Sequence, residues 1–330
     1  MAIDAGPSRR RLCLGIAAWA GAPSWRSARA AVRRVGFISG GSADEAAGFL
    51  TPVRADLARR GHAEPDSLAL DLRFADGNLA LIPTFVADLE RAGVALIVTH
   101  AVATTIVVTG KRTVPAVYQF SADPVAAGVA TDLAHPLFNA TGVTLMLAEI
   151  NGKRLELVQQ ILPSMHRVGV LANALHPGQE RERAIVEDKA RQLGLLTSAY
   201  TTRSEAELDS ALAALAASPP EALLVLSDGF VVVHRRKILD FALARRLPVI
   251  SGWALMADSG ALCTYGPRLA DAYARVGYFV DRILKGAAPS SLPIEQPTIL
   301  ELVVNLKTAR RIGLQVPAAV LARADRVLEA

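Results

Sequence analysis

The residues of this 330-residue chain that could do chemistry sit in short polar turns, each directly after an apolar run. They read Ser39-Gly40-Gly41-Ser42, Thr99-His100-Ala101, Ser121-Ala122-Asp123-Pro124, Asn173-Ala174, Ser227-Asp228-Gly229 and Gly252-Trp253. Hydroxyls, amides and carboxylates in such turns make reversible hydrogen bonds. Glycines let a backbone approach a ligand closely, and free N–H groups at a helix start favour an anion. Covalent chemistry is not organised in the same way. The chain has no Gly-x-Ser-x-Gly elbow, no His-Glu-x-x-His pair, no metal-spaced Cys/His cluster, and no Gly-Lys-Ser/Thr after Gly40-Gly41. Six histidines (His62, His100, His135, His166, His176, His234) are scattered without ligand spacing. The residue types point to binding.

Each turn also has a plainer reading. Ser42 fits a helix N-cap with Glu45 as its capping-box partner, a role compatible with ligand contact. The N–H groups after Ala101 suit a carboxylate, and His100 reads as a ligand contact or as a surface-turn histidine. Asp123 reads two ways. It receives a ligand amine, or it caps a following helix with Pro124 at the first helical position. Trp253 and Tyr265 offer apolar area with a polar handle for stacking, or one of them fills a core; Phe120 and Phe230 are ambiguous. His234-Arg235-Arg236-Lys237 reads as a solvated helix face.

The elements that must position these turns alternate. Val35–Ile38 is an apolar strand, Ala43–Arg60 a helix with Phe49, Leu50, Val53 and Leu57 on one face, and Leu70–Phe74 a strand. Helix Leu79–Ala92, strand Ala95–Thr99, helix Ala101–Lys111 and strand Val114–Phe120 follow. The grammar restarts at strand Arg167–Asn173. It runs on through helix Gln179–Leu193, strand Leu196–Thr201, helix Ser204–Ala217, strand Ala222–Ser227, helix Val231–Arg246 and strand Leu247–Ile250. Such alternation specifies parallel sheets with helices on both faces. Single cores rarely grow past about 250–300 residues, so two α/β lobes are expected. Ligands of such sheets bind at the carboxyl ends of strands, where the polar turns lie.

The first thirty residues stand apart. Arg9-Arg10-Arg11, the apolar stretch Leu12–Ala22 and Ala28-Arg29-Ala30 read as an export signal cleaved before Ala31, of the Sec or twin-arginine type. The apolar stretch is about half the ~20 residues a membrane span needs. Arg11-Leu12 before Cys13 is not a lipobox. These thirty residues carry five arginines and one aspartate, a net of +4 out of the chain's +5. The basic balance therefore belongs to the signal and gives no support to nucleic-acid binding. Cys263 alone would remain after cleavage, so no internal disulfide is possible, and it reads as a buried thiol.

The C-terminal third holds Ala261-Leu262-Cys263-Thr264-Tyr265-Gly266-Pro267, then Ile283-Leu284-Lys285-Gly286, Leu292–Pro297, Glu301–Ala309 and Gly313-Leu314. With Asp123–Gly128 and Asn139–Thr144, this order resembles the solute-binding proteins of ABC transporters, the family that includes tryptophan and tyrosine binders. The resemblance runs from about Arg33 to Leu328. At Thr99-His100-Ala101, where relatives read Thr-Gly-Thr-Pro, Thr99 keeps the family pattern and His100 and Ala101 depart from it. The chain departs again at Asn173-Ala174-Leu175-His176-Pro177, where relatives read Asn-Pro-x-x-Pro, and at Ser227-Asp228-Gly229, where they read Pro-Asp-Pro.

The resemblance implies a type I periplasmic binding fold: two doubly wound parallel-sheet lobes joined by a three-crossover hinge. Lobe one is residues 31–146 with 267–298, and lobe two is 147–266 with 299–330. The crossings are expected near Thr144–Asn151, Thr264–Arg268 and Pro297–Glu301. It also implies a periplasmic monomer that closes on an amino acid or related small carboxylate and delivers it to an inner-membrane permease and ATPase. No cofactor, metal or nucleic acid is expected, and no catalysis. The ligand would meet Gly40, Ser42, Thr99, Ala101, Ser121, Asp123, Asn173, Ser227, Asp228, Trp253 and Tyr265. The alternatives are a ligand-sensing module for a membrane receptor and an exported α/β enzyme.

Overall fold

A computed structural model describes residues 32–145 and 147–329. The export signal expected over residues 1–30 lies outside them. Lobe one begins with β1 (Arg33–Ser39), α1 (Ala43–Arg59), β2 (Leu68–Phe74), α2 (Ile82–Arg91), β3 (Leu96–His100), α3 (Ala103–Thr109), β4 (Ala116–Phe120) and β5 (Ala140–Thr144). Lobe two follows with α4 (Leu147–Ile161), β6 (Arg167–Asn173), α5 (Gln179–Gln192), β7 (Leu196–Thr202), α6 (Glu205–Ala217) and β8 (Ala222–Val225). It continues with α7 (Gly229–Val233), α8 (Arg235–Ala244), β9 (Val249–Ser251), α9 (Ala254–Asp258) and β10 (Cys263–Pro267). The chain then returns to lobe one as α10 (Leu269–Leu284). It ends in lobe two as β11 (Leu300–Asn305), α11 (Leu306–Ile312), α12 (Ala318–Leu321) and β12 (Arg326–Leu328).

The five-stranded sheet has the order β2-β1-β3-β4-β5 and is parallel throughout. The seven-stranded sheet has the order β12-β11-β10-β9-β8-β6-β7. Its single antiparallel pair is β10 with β11, Cys263 opposite Val304 and Pro267 opposite Leu300. The direction follows from the route. β11 enters from lobe one at the end by which β10 leaves, so the two strands run opposite ways.

Both sheets are covered on both faces. In β3, Leu96 and Val98 join α1 and α10 in one core, while Ile97 faces the core under α2 and α3. The period-two direction of strand side chains makes that division, and burial on both faces explains why these strands read as unbroken apolar runs. Lobe two repeats the arrangement. Val168, Val170 and Ala172 face α4 and α5, and Leu171 faces α6 and α8.

Two local expectations change. The helix expected over 231–246 is two helices, because His234 leaves helical geometry and serves both as the end of α7 and the start of α8. Its ring lies against Phe230 at 4.4 Å. Asp123-Pro124 starts a run of turns, not a helix. The Asp123 carboxylate accepts the N–H groups of Val125 and Ala126 at 2.8 and 3.3 Å and so closes a tight turn locally. Among the described residues, no helix is long and apolar enough to cross a membrane.

Candidate functional site

A cavity of about 870 Å³ lies between the carboxyl ends of the two sheets. The turns after β1, β3 and β4 line it from lobe one, and those after β6, β8 and β9 line it from lobe two. The strand-end rule brings these distant turns together, because each sheet presents the same end of its strands to the other.

Lobe one contributes a wall of rings. His100 is stacked between Phe37 (centroids 5.6 Å apart, 16° between planes) and Phe49 (4.7 Å, 6°). Phe49 meets Tyr273 of α10 edge-on at 5.0 Å. The His100 Nε2 lies 3.2 Å from Ser39 Oγ. Burial among rings penalises the imidazolium, so the His100 pKa falls to about 4. Gly40 is required here by close approach. A Cβ at that position would stand 2.4 Å from Val102 Cγ2, so the turn after β1 packs directly on the turn after β3. Ala101 takes a left-handed backbone (φ 53°) to bring the chain into α3. Ser42 Oγ accepts the Glu45 N–H at 3.3 Å, and the Glu45 carboxylate takes the Ser42 N–H in return. This is the capping box read from the sequence. Burial raises the Glu45 pKa, partly offset by that N–H.

Lobe two contributes hydrogen-bonded polar groups. Asp228 caps α7 by accepting the Val231 N–H at 2.9 Å, and it also accepts from the Asn173 side-chain amide. Asn173 in turn accepts the Leu175 N–H at 3.0 Å. Burial pushes the Asp228 pKa up to about 6 against the effect of these donors, and the Glu45 carboxylate of the other lobe adds to the rise. Trp253 lines the cavity yet is only 6 % exposed, and it packs into the lobe-one core. Its indole N–H has no hydrogen-bond partner among the described residues.

One chain of contacts runs from the cavity to the hinge. Ser121 Oγ of lobe one meets His176 Nε2 of lobe two. The His176 Nδ1 accepts the Gly178 N–H at 3.2 Å and lies 3.4 Å from Glu182 Oε1. Asn151 donates to Glu182 Oε2 at 3.1 Å and accepts from Arg154, whose Nε donates to the Tyr265 carbonyl at 2.7 Å. Arg154 is fully buried against the backbone of Gly252 and Gly266; a Cβ on Gly252 would stand 2.2 Å from its Nη2. Burial lowers the Arg154 pKa to about 10 despite the nearby Glu182. Burial likewise lowers His176 to about 4.

Of the expected site residues, Gly40, Ser42, Ala101, Ser121, Asn173, Asp228 and Trp253 line the cavity. Four do not. Thr99 is wholly buried within the sheet, one residue short of the strand end. Asp123 is turned away and paired with Arg181 at 3.3 Å. Ser227 is committed to the Gly252 N–H at 3.0 Å. Tyr265 packs on the lobe-two core and offers its carbonyl to Arg154. His100 is not a surface-turn residue, because β3 runs one residue further than its apolar run and carries the ring into the stack. Phe49, Tyr273, Phe230 and His176 also line the cavity. Phe49 and Tyr273 lie on apolar helix faces that read as ordinary core. His176 follows no periodic pattern, and its one signal was its place in the altered turn after Asn173.

Ser121, His176 and Glu182 stand in the order of a nucleophile, base and carboxylate, but the hydrogen bonds run against that use. An Nδ1 that accepts from Gly178 leaves the proton on Nε2, which then donates to Ser121 instead of taking its proton. No group of three His, Cys, Asp or Glu residues with metal-binding geometry occurs among the described residues.

Comparison with known proteins gives a family and a fold. A family model described as ABC transporter substrate binding protein matches residues 34–328. An ABC domain from Streptococcus pneumonia, solved in complex with L-Trp, superposes with a TM-score of 0.82 at 21% identity, covering 90% of this chain and 100% of that one. A conserved domain protein from Vibrio cholerae gives 0.83 at 23% identity, over 90% and 99% of the two chains. A 5-methylthioribose transporter solute binding protein from Thermotoga lettingae gives 0.62 at 13% identity, over 88% and 95%. No curated protein matches the chain.

Proposed function

Because the chain belongs to the ABC transporter substrate-binding protein family, we propose that it is an exported receptor that closes its two lobes on a small solute and delivers it to a membrane permease and ATPase. The observation that carries this reading is the cavity of about 870 Å³ walled by strand ends of both lobes, a size suited to one small organic molecule. A ligand touching both walls binds the closed arrangement better than the open one, and that difference drives closure. The inherited ligand class is an amino acid or related small carboxylate; the L-Trp held by the Streptococcus relative supports it, as does the ring wall of Phe49, His100 and Tyr273. Residues 1–30 would direct export to the periplasm, where the protein would act as a monomer. The site residues are those of the seven expected that line the cavity, joined by Phe49, Glu45, His176, Phe230 and Tyr273. The reading as an exported enzyme is disfavoured by the direction of the Ser121–His176 hydrogen bond.

The test is a thermal-shift screen of residues 31–330 against amino acids, small carboxylates, amines, sugars and a soluble metabolite extract, with calorimetry on each hit. A ligand at 100 times its Kd adds about 2.7 kcal/mol. Scattering should then show a more compact protein with ligand. A folded protein that no solute stabilises or compacts would end the receptor reading. Uptake of the hit by cells, lost on deleting the gene, separates transport from sensing.

A further inference from the structure

We infer that the cleft recognises its ligand by a protonated amine held between Glu45 of lobe one and Asp228 of lobe two, attached to an apolar body of aromatic size, and that a ligand carboxylate is not needed. This rests on the solute-binding reading above and names the substrate class for that site. Four observations carry it.

The first is the sign of the lining. The charged side chains on the cavity are Glu45, Asp76, Asp228 and Arg203; Asp76 and Arg203 are both exposed, which leaves the Glu45 and Asp228 carboxylates as the sheltered charges. The two histidines there are held neutral by burial. A carboxylate entering this cavity meets net negative charge. The second is that two of the helix starts facing the cavity, those of α1 and α7, are closed by side chains, whereas those of α3 and α9 carry no side-chain cap. Ser42 and Glu45 close the start of α1, and the Asp228 carboxylate closes the start of α7. A ligand anion is not required by either.

The third is the placement of the two acids. Helices α1 and α7 are in contact across the lobes, which brings one carboxylate from each to the same cavity. Like charges brought together by closure repel, and an ammonium between them turns that repulsion into attraction only while the lobes are together. Recognition and closure are then one event. The fourth is the apolar part of the lining. Phe49, Tyr273 and Phe230 supply the apolar contact for the body.

The experiment compares matched trios by calorimetry on residues 31–330: tyrosine, tyramine and 4-hydroxyphenylacetate, then tryptophan, tryptamine and indole-3-acetate. The amine should bind at least tenfold tighter than the matched acid in one trio and at least as tightly as the amino acid. Glu45→Gln and Asp228→Asn should each weaken amine binding about tenfold. Both variants keep the oxygen used in capping, and a melting curve of each shows whether it folds. If Asp228→Asn fails to fold, Glu45→Gln decides alone. Acid binding tighter than amine, or amine binding indifferent to Glu45→Gln, overturns the inference and leaves the receptor reading standing. Silence across both trios also overturns it, and the broader screen then judges the receptor reading separately.

Discussion

Lobe one faces the cleft with His100 and Phe49, rings backed by Phe37, whereas lobe two faces it with His176, the outer end of a hydrogen-bonded chain that runs behind it through Glu182 and Asn151 to Arg154. The ring wall is held by area and dispersion, which any side chain of like shape supplies. The polar chain is held by partners, and removing one strands the next in a medium that cannot hydrate it. The two walls should therefore fail differently. The polar chain should also transmit further, because it ends on the carbonyl of Tyr265 in β10, the strand that leads back to lobe one.

The largest expected effect is on the polar side. Arg154→Met should cost on the order of 3–5 kcal/mol in denaturant unfolding, because Asn151 and the Tyr265 carbonyl lose a buried charged donor. A loss below about 1 kcal/mol would mean that the chain is not a supporting structure.

Acid should separate the two walls next. His100 and His176 each fall from 6.5 to about 4 on folding. Between those values the unfolded chain binds protons that the folded chain refuses. The stability is complete above pH 6.5 and is lost as pH falls toward 4, by on the order of 3 kcal/mol for each histidine. Asp228, raised from 3.8 to about 6, works oppositely and returns part of the loss over pH 6 to 3.8. The net is destabilisation, measured as the denaturation midpoint from pH 7.5 to 4.5. His100→Phe should remove about half of this response with the smaller loss at pH 7.5, since a ring replaces a ring and only the 3.2 Å contact with Ser39 is given up. His176→Phe should remove a similar share but lose stability at pH 7.5, since Ser121 and the Gly178 N–H lose their partner. Equal behaviour of the two variants would erase the distinction between the walls.

A smaller effect belongs to the hinge. Gly252→Ala places a methyl 2.2 Å from Arg154 Nη2 and 2.4 Å from Ser227 Oγ, and overpacking of this kind costs about 1–3 kcal/mol. The smallest is Ser42→Ala, which removes the α1 cap for about 1 kcal/mol in thermal unfolding.

Much of this was legible in the sequence. Apolar runs alternating with amphipathic stretches specify strands and helices locally, and buried parallel strands carry no polar face to confuse the pattern. The capping box at Ser42 and Glu45 was readable because both partners lie within one helical turn. The share of the charge carried by residues 1–30 is likewise a property of the linear chain. Tertiary structure alone decided which turn residues reach the cavity. Asp123 and Asp228 read alike, each a carboxylate at a strand end beside a turn. Yet Asp123 pairs with Arg181 of α5 away from the cavity, and Asp228 faces Glu45 of the other lobe. His100 and His176 were lone histidines, and only the folded chain put one between rings and the other between lobes. Backbone periodicity is set by neighbours a few residues away, so sequence carries it. The partner of a side chain is set by the crossing of two lobes, which brings together residues 55 positions apart, as with Ser121 and His176.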